Sequence, residues 1–278
     1  MEFPFCKMNG CGNDFIFVDH RDVDWSQWDL PEMARLLCRR RVSVGADGFV
    51  LLIPPGNPDN DFAWRFFNAD GSEAEMCGNA ARCAARFALM KGLVKSSTMR
   101  FETLSGVVEA EVEGAAVKVR MSDPDQIRPQ LTVLLPQGKV DLVSLNTGVP
   151  HAVTFVEEVE EVPVVEMGRL IRYHDAFFPK GTNVDFVQVV SDSTLKIRTY
   201  ERGVEDETLA CGTGAVACAV AAHLLGMVNP PVEVITRGGG VLGVHFEKRG
   251  DLGYQEVYLR GDARLVYEGI LKPEALAT

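Results

Sequence analysis

Two cysteines, each followed by glycine, are placed where they could move protons: Cys77-Gly78-Asn79-Ala80-Ala81 and Cys211-Gly212-Thr213-Gly214-Ala215. Each follows a polar loop, residues 68–76 in one case and 201–210 in the other, and opens a small-residue run that reads as a helix. A thiol at a first helical turn faces backbone N–H groups that lack internal partners and carry partial positive charge. That predicts a thiol pKa drawn down from about 8.5 toward neutrality. Gly78 and Gly212 have no Cβ, so an anion can approach the amides. These helix starts, with Asn79 and Thr213, are the expected seat of a substrate carboxylate. One thiol as base and one as acid, acting from opposite sides of a tetrahedral carbon, would invert it, which is racemisation or epimerisation. The amides would steady the negative charge that develops on the carboxylate.

The other cysteines read differently. Cys83 and Cys218 fall inside alanine-rich runs and are expected to be inert core thiols, as is Cys38, with Cys6 and Cys11 read the same way. Seven cysteines in a long chain, with no CxxC pair, do not make a secreted disulfide framework. Five histidines give a zinc site little to build on, so no metal is expected. The glycine-rich run 211–214 could cradle a phosphate, but no lysine follows it as in a Walker loop.

What must position the two thiols is a duplication. Gly12-Asn13-Asp14-Phe15-Ile16 recurs as Val149-Pro150-His151-Ala152-Val153, and Gly45-Ala46-Asp47-Gly48-Phe49 as Gly181-Thr182-Asn183-Val184-Asp185. The Cys-Gly runs are the third pair, and Thr103-Leu104-Ser105-Gly106 with Thr236-Arg237-Gly238-Gly239 the fourth. The order is kept and the offsets are 137 (149 − 12), 136 (181 − 45), 134 (211 − 77) and 133 (236 − 103). The copies run roughly over 5–122 and 142–262.

Each copy reads alike: a strand at 15–19 or 152–156, a helix at 31–41 or 167–173, strands at 48–53 and 64–68 or 185–190 and 195–200, the Cys-Gly helix at 80–90 or 215–225, and a β-rich tail at 99–121 or 232–259. A helix apolar nearly all round is a buried one. The expected fold is therefore α+β: two pseudo-symmetric domains, each a curved sheet around a central apolar helix. The expected domains are 1–120, with the tail 263–278 packing back on it, and 121–262.

Composition is that of a soluble globular chain, with 46% hydrophobic and 24% charged residues. A formal charge of −11 argues against nucleic acid or an anionic membrane surface as partner. The start shows no signal-peptide pattern, and the richest apolar stretch, 215–228, is too short to cross a bilayer. A cytoplasmic protein with a small-molecule substrate is the expectation.

The residues taken together resemble the diaminopimelate epimerase family. The resemblance is carried by Lys7-Met8-Asn9-Gly10-Cys11-Gly12-Asn13-Asp14-Phe15, Phe66-Phe67-Asn68-Ala69-Asp70-Gly71-Ser72, Cys77-Gly78-Asn79-Ala80-Ala81-Arg82-Cys83, Gly181-Thr182-Asn183-Val184-Asp185-Phe186-Val187, and Tyr200-Glu201-Arg202-Gly203 through Cys211-Gly212-Thr213-Gly214. It implies interconversion of L,L- and meso-diaminopimelate in lysine and peptidoglycan precursor synthesis, by two thiols and without pyridoxal or any other cofactor, in a homodimer. It implies Cys77 and Cys211 as base and acid. Asn13, Asn68, Asn183 and Arg202 are implied as substrate-binding residues, mostly at the distal, non-reacting end. His151 and Glu201 are implied as the polar partners of thiol protonation, with Glu201 also lining the substrate.

Three departures stand out. Val149 replaces an asparagine common before Pro-His, Gly48 replaces a glutamine seen in some members, and the loop from Glu201 to Cys211 is one residue longer than that from Asn68 to Cys77. Competing readings are a proline racemase or hydroxyproline epimerase, which acts on a small ring without a distal carboxylate, and a non-catalytic diamino-acid binding protein. An isomerase of the phenazine-biosynthesis type would lack the paired cysteines.

Overall fold

A computed structural model describes residues 2–277. It divides into two units, one of Met1–Val119 and Gly261–Thr278, the other of Arg120–Arg260. The first unit runs β1 (Phe3–Gly10), β2 (Asn13–Asp19), α1 (Leu30–Leu37), β3 (Gly48–Ile53), β4 (Phe62–Asn68), α2 (Gly78–Met90), β5 (Thr98–Thr103), β6 (Gly106–Glu113) and β7 (Ala116–Arg120). The second runs β8 (Asp125–Leu135), β9 (Gly138–Asn146), β10 (Pro150–Phe155), α3 (Val164–Arg172), β11 (Asn183–Ser191), β12 (Thr194–Glu201), β13 (Asp206–Thr208), α4 (Gly212–Leu224), β14 (Val232–Ile235), β15 (Val241–Arg249) and β16 (Gly253–Asp262). The last strand, β17 (Arg264–Leu271), pairs antiparallel with β1.

The pairing shows the repeat. From β1 through β2, β3, β4, β5 and β6 the neighbours alternate antiparallel, parallel, antiparallel, parallel, antiparallel. From β9 through β10, β11, β12, β14 and β15 they alternate in the same way. A further antiparallel strand flanks each set: β17 beside β1, and β8 beside β9. The chain supplies that strand after every other strand in one unit and before every other strand in the other. The fold is α+β, with two pseudo-symmetric halves.

Each sheet is buried on both faces, so its central strands are apolar runs rather than alternations. In β2 and β3, Ile16, Val18, Phe49 and Leu51 pack with Leu30, Met33, Ala34 and Leu37 of α1. The other face of β2 meets α2, with the Phe17 and Phe87 rings 5.3 Å apart. Helix α2 touches β1, β2, β3 and β6, and α4 touches β9, β10, β11, β12, β14 and β15, so each sheet curls around its helix. Every residue of α4 from Gly214 to Ala222 is buried. Alanines there let strands close in on all sides without large side chains to accommodate.

Two local readings need correction. Helix α1 was expected over 31–41 but ends at Leu37, with Cys38 as its C-cap. The returning chain takes its last carbonyls, Gly45 N–H donating to Leu37 O and Ala46 N–H to Cys38 O, and Arg40 turns away to pair with Asp14 and Asp47. Strand β1 and the β8–β9 hairpin fall in stretches to which no element was assigned. Among the described residues no helix is long and apolar enough to cross a membrane.

Candidate active site

In the first unit Cys77 is the N-cap of α2, in extended backbone conformation. Gly78 is the first helical residue, and buried Asn79 follows. The Asn79 Nδ2 donates to Asn13 Oδ1 (2.7 Å), and Asn13 Nδ2 donates to Asp47 Oδ2 (3.0 Å). Beneath them lies Arg82, fully buried, whose Nη2 donates to Asn79 Oδ1 at 2.6 Å and whose other nitrogens reach the carbonyls of Gly78 and Asp262. Burial pulls the Arg82 pKa down, opposed by Cys11, Cys83, Cys77 and Asp262 around it. Asn13, Gly78 and Asn79 are thus gathered at the Cys77 helix start. Asn68 stands at the exit of β4, exposed, its Nδ2 donating to Ser72 Oγ (3.0 Å) in the Asp70–Ser72 turn.

In the second unit Cys211 is the N-cap of α4, and Gly214 N–H donates to its Sγ at 3.4 Å. The Thr213 Oγ1 lies 3.4 Å from that sulfur and 3.0 Å from His151 Nε2. The other ring nitrogen, Nδ1, is 2.7 Å from Asp185 Oδ2, and Asp185 Oδ1 accepts from Thr199 Oγ1 at 2.7 Å. His151 and Asp185 have no exposed surface. Asn183 Nδ2 lies 3.4 Å from His151 Nε2, and Asn183 Oδ1 accepts from the Arg202 N–H at 2.8 Å. Arg202 Nη1 reaches the Lys180 carbonyl at 3.4 Å. The structure therefore brings Glu201, Gly212 and Thr213 to Cys211 and His151 to Thr213, with Asn183 beside His151 and Arg202 joined to Asn183 through its backbone N–H. Gly214 permits it: a Cβ there would lie 2.6 Å from Asp185 Oδ1 and 3.3 Å from the Cys211 sulfur.

The expectation of a lowered thiol pKa fails for Cys211. Its pKa is raised well above the usual thiol value, first by burial and then by the negative charge of Glu201 and Asp185. Burial and two carboxyl groups outweigh the helix-start amides. Burial also raises the pKa of Glu201, against the pull of the Cys211 thiol beside it. Cys83 is pushed up to about 12 and Cys38 to about 12, in both cases chiefly by burial, as befits core thiols. All seven cysteines are thiols rather than disulfides.

Strand register fixes which residues correspond between the units. Phe67 pairs with Phe49, and Tyr200 with Val184, each pair facing the α1- or α3-side core. One residue back along β3 and β11, Gly48 pairs with Phe15 and Asn183 with His151. One residue forward, Val50 pairs with Phe66 and Asp185 with Thr199. Hence Phe15, Val50 and Phe66 occupy in the first unit the places of His151, Asp185 and Thr199, which corrects by one residue the sequence pairing that set Asp14 against His151 and Phe49 against Asp185. The departure at Gly48 has a packing cause, since a Cβ there would lie 2.5 Å from the Phe66 ring. The cysteine loops share an ion pair as well: Arg65 to Glu73 at 2.8 Å, and Arg198 to Glu207 at 2.6 Å. The longer second loop forms β13 against β12, where the first makes only a bridge between Phe67 and Glu73.

Asp185, Thr199, Arg82 and the two loop ion pairs escaped the sequence reading. The available signal was a charged residue inside an apolar run, Asp185 in 183–187 and Arg82 in 80–90. A buried charge in such a run needs a partner. Among the described residues no group of three or more His, Cys, Asp or Glu could hold a metal ion.

Comparison with known proteins agrees with this duplicated layout. The family model for diaminopimelate epimerase matches twice, over residues 5–127 and 143–266. The chain is 50% identical over 282 residues to the diaminopimelate epimerase of Aquifex aeolicus, covering 98% of this chain and 99% of that one. It is 43% identical to that of a Hydrogenobaculum species, covering 96% and 98%. Solved structures with the same fold include a phenazine biosynthesis protein of the PhzF family from Bacillus anthracis, with TM-score 0.73, 14% identity, and 98% and 99% coverage. A hydroxyproline epimerase from Agrobacterium vitis with bound trans-4-hydroxy-L-proline superposes with TM-score 0.68, 16% identity, and 99% and 94% coverage. Identity that low speaks for the fold alone, whereas the family match takes in both repeats and both N-cap cysteines: the chain belongs to the diaminopimelate epimerase family.

Proposed function

We propose that this chain interconverts L,L- and meso-diaminopimelate with Cys77 and Cys211 as paired base and acid. The observation that carries this is the family match across both repeats, with a cysteine capping the equivalent helix in each. The Cys77 thiolate takes the α-proton, the electron pair moves onto the substrate carboxylate, and Cys211 delivers a proton to the opposite face. The amides at Gly78-Asn79 and Gly212-Thr213 hold that carboxylate as its charge grows. Cys211 is suited to start as the acid, because burial and the neighbouring carboxyl groups favour its protonated form. His151 and Glu201 govern that protonation.

At the distal end Arg202 takes the second carboxylate in a bidentate pair. Among the described residues no carboxylate already pairs with it. Asn13, Asn68 and Asn183 complete the recognition of the distal ammonium and carboxylate, a set that a proline-sized substrate would leave unused. The chemistry needs neither pyridoxal nor a metal ion. We place the protein in the cytoplasm as a homodimer serving lysine and peptidoglycan precursor synthesis, its two units being the two epimerase domains.

The test is proton NMR of L,L-diaminopimelate in D2O with reduced protein and no added cofactor. Formation of meso isomer carrying α-deuterium, abolished in Cys77→Ala and in Cys211→Ala, is the expected result. Folded, reduced protein that neither exchanges nor isomerises diaminopimelate would overturn the assignment. Exchange on proline instead would move it to the racemase class, and binding without exchange to a binding protein.

A further inference from the structure

The Asp185 carboxylate can only accept hydrogen bonds. Its Oδ1 is taken by Thr199, and its Oδ2 faces His151 Nδ1 at 2.7 Å, both residues without exposed surface. The proton of a neutral His151 ring therefore sits on Nδ1, and Nε2 is an acceptor. At 3.0 Å from Nε2 the Thr213 hydroxyl is its nearer donor, ahead of Asn183 Nδ2 at 3.4 Å. Thr213 then turns a lone pair, not a proton, toward the Cys211 sulfur 3.4 Å away. A sulfur denied that donor keeps only the Gly214 N–H at 3.4 Å, and the balance moves toward its protonated form.

We propose that Asp185 is a positioning residue for the reaction: it fixes His151 in the Nδ1–H form, commits the Thr213 hydroxyl to Nε2, and so keeps Cys211 protonated as the acid between turnovers. Without the carboxylate, His151 is released to carry its proton on Nε2 and donate to Thr213, which frees the Thr213 proton for a Cys211 thiolate. The chain exists in one unit only, since the corresponding places in the other hold Phe15, Val50 and Phe66. The groups acting on Cys211 are Asp185 from β11, Glu201 from β12, and His151 from β10 through Thr213, with Cys218 further along α4. The role of Cys211 as acid rests on the proposed function, but the protonation chain can be measured without any substrate.

The variant is Asp185→Asn, which keeps the shape and removes the charge. Alkylation of reduced protein by iodoacetamide is followed against pH, with each cysteine peptide quantified by mass spectrometry. The Cys211 midpoint is expected to fall by about one pH unit while the Cys77 midpoint stays, and the His151 15N shifts of the variant are expected to show the ring proton moved to Nε2, which loss of the Asp185 charge alone would not do. If the epimerase reading also holds, the alkaline limb of kcat/KM moves down with it. A purely structural role would lower activity or Tm and leave the Cys211 midpoint in place, and that result overturns the proposal. Should Asp185→Asn fail to fold, the 15N chemical shifts of the unmodified protein decide, with His151 assigned by its loss in His151→Gln. Protonation at Nδ1 is required, and a ring protonated at Nε2 refutes the proposal. Failure of diaminopimelate turnover alone sinks the proposed function and leaves both readouts standing.

Discussion

Behind Cys211 the strands carry His151, Asp185 and Thr199, whereas at the corresponding places behind Cys77 they carry Phe15, Val50 and Phe66. The Phe15 and Phe66 rings stand edge to face there, 5.9 Å apart. The helices differ in the opposite sense. Arg82 is buried in the second turn of the Cys77 helix, and Val216 occupies the equivalent turn of the Cys211 helix. A buried guanidinium favours anions around it, and buried carboxyl groups favour neutral neighbours. The duplication thus kept the backbone device, a thiol capping a helix inside a curled sheet, and divided the charges between the copies. Two groups of one residue type take different roles when their surroundings push their protonation apart.

Gly214 is where this difference is easiest to break. Its counterpart in the first unit is Ala80, which its helix accommodates fully buried. A Cβ at position 214 would press on Asp185 Oδ1 at 2.6 Å and on the Cys211 side chain. Gly214→Ala is therefore expected to lower kcat by on the order of 10²–10³, through displacement of Cys211 from its amides and its polar chain. The reciprocal Ala80→Gly should cost about 1 kcal/mol of stability with kcat retained. Steady-state kinetics and thermal melts on the two variants decide it. Equal losses of kcat would show that the polar layer behind α4 gives position 214 no special role.

The loop ion pairs sharpen the comparison. Arg65 and Glu73 have 40% and 34% side-chain exposure, against 11% and 15% for Arg198 and Glu207. Arg198 also donates to the carbonyls of Val159, Glu160 and Val162. Removing Arg198 takes the donor from these acceptors and leaves the half-enclosed Glu207 carboxylate with the longer Arg237 pair at 3.6 Å, so Arg198→Ala is expected to cost about 2 kcal/mol. Arg65→Ala should cost no more than about 1 kcal/mol, as for surface pairs. Urea titration of both variants tests this. A larger loss at Arg65 would reverse the ranking that burial gives.

Some of this was readable in the residues and some was not. Cys77 and Cys211 announce themselves because glycine, small residues and a preceding polar loop are local signals of a helix start. The central strands announce themselves because burial on both faces leaves apolar runs such as Gly48–Ile53. The flanking strands do not. Most of β8 is exposed, and its partner in the repeat, β17, lies at the far end of the chain, so neither pattern nor order reveals their equivalence. The end of α1 depended on Gly45 and Ala46 returning to its carbonyls, a contact beyond any local window. The charge of Asp185 was visible, but not the face it occupies or its partner His151, which lies on a neighbouring strand. The direction of the Cys211 shift was hidden for the same reason, because helix-start electrostatics can be read locally and burial cannot.

The smallest expected effect concerns the position where the units differ by a whole side chain. Asn183 uses its carboxamide to hold Arg202 N–H and Pro150 O, whereas Gly48, at the same point of β3, has no side chain because Phe66 and Phe15 fill the space. A Cβ on residue 48 would meet the Phe66 ring at 2.5 Å and Phe67 O at 2.9 Å. The ring can swing aside but the carbonyl cannot, so Gly48→Ala should cost about 1 kcal/mol by overpacking. Asn183→Ala, by contrast, removes polar contacts to the Arg202 N–H, the Pro150 carbonyl and the His151 ring. It should act on KM and kcat through Arg202 and His151 more than on Tm. If Gly48→Ala instead lowered kcat with Tm unchanged, position 48 would be lining the substrate, and the apolar layer behind Cys77 would be part of the site rather than a packing substitute for the polar layer behind Cys211.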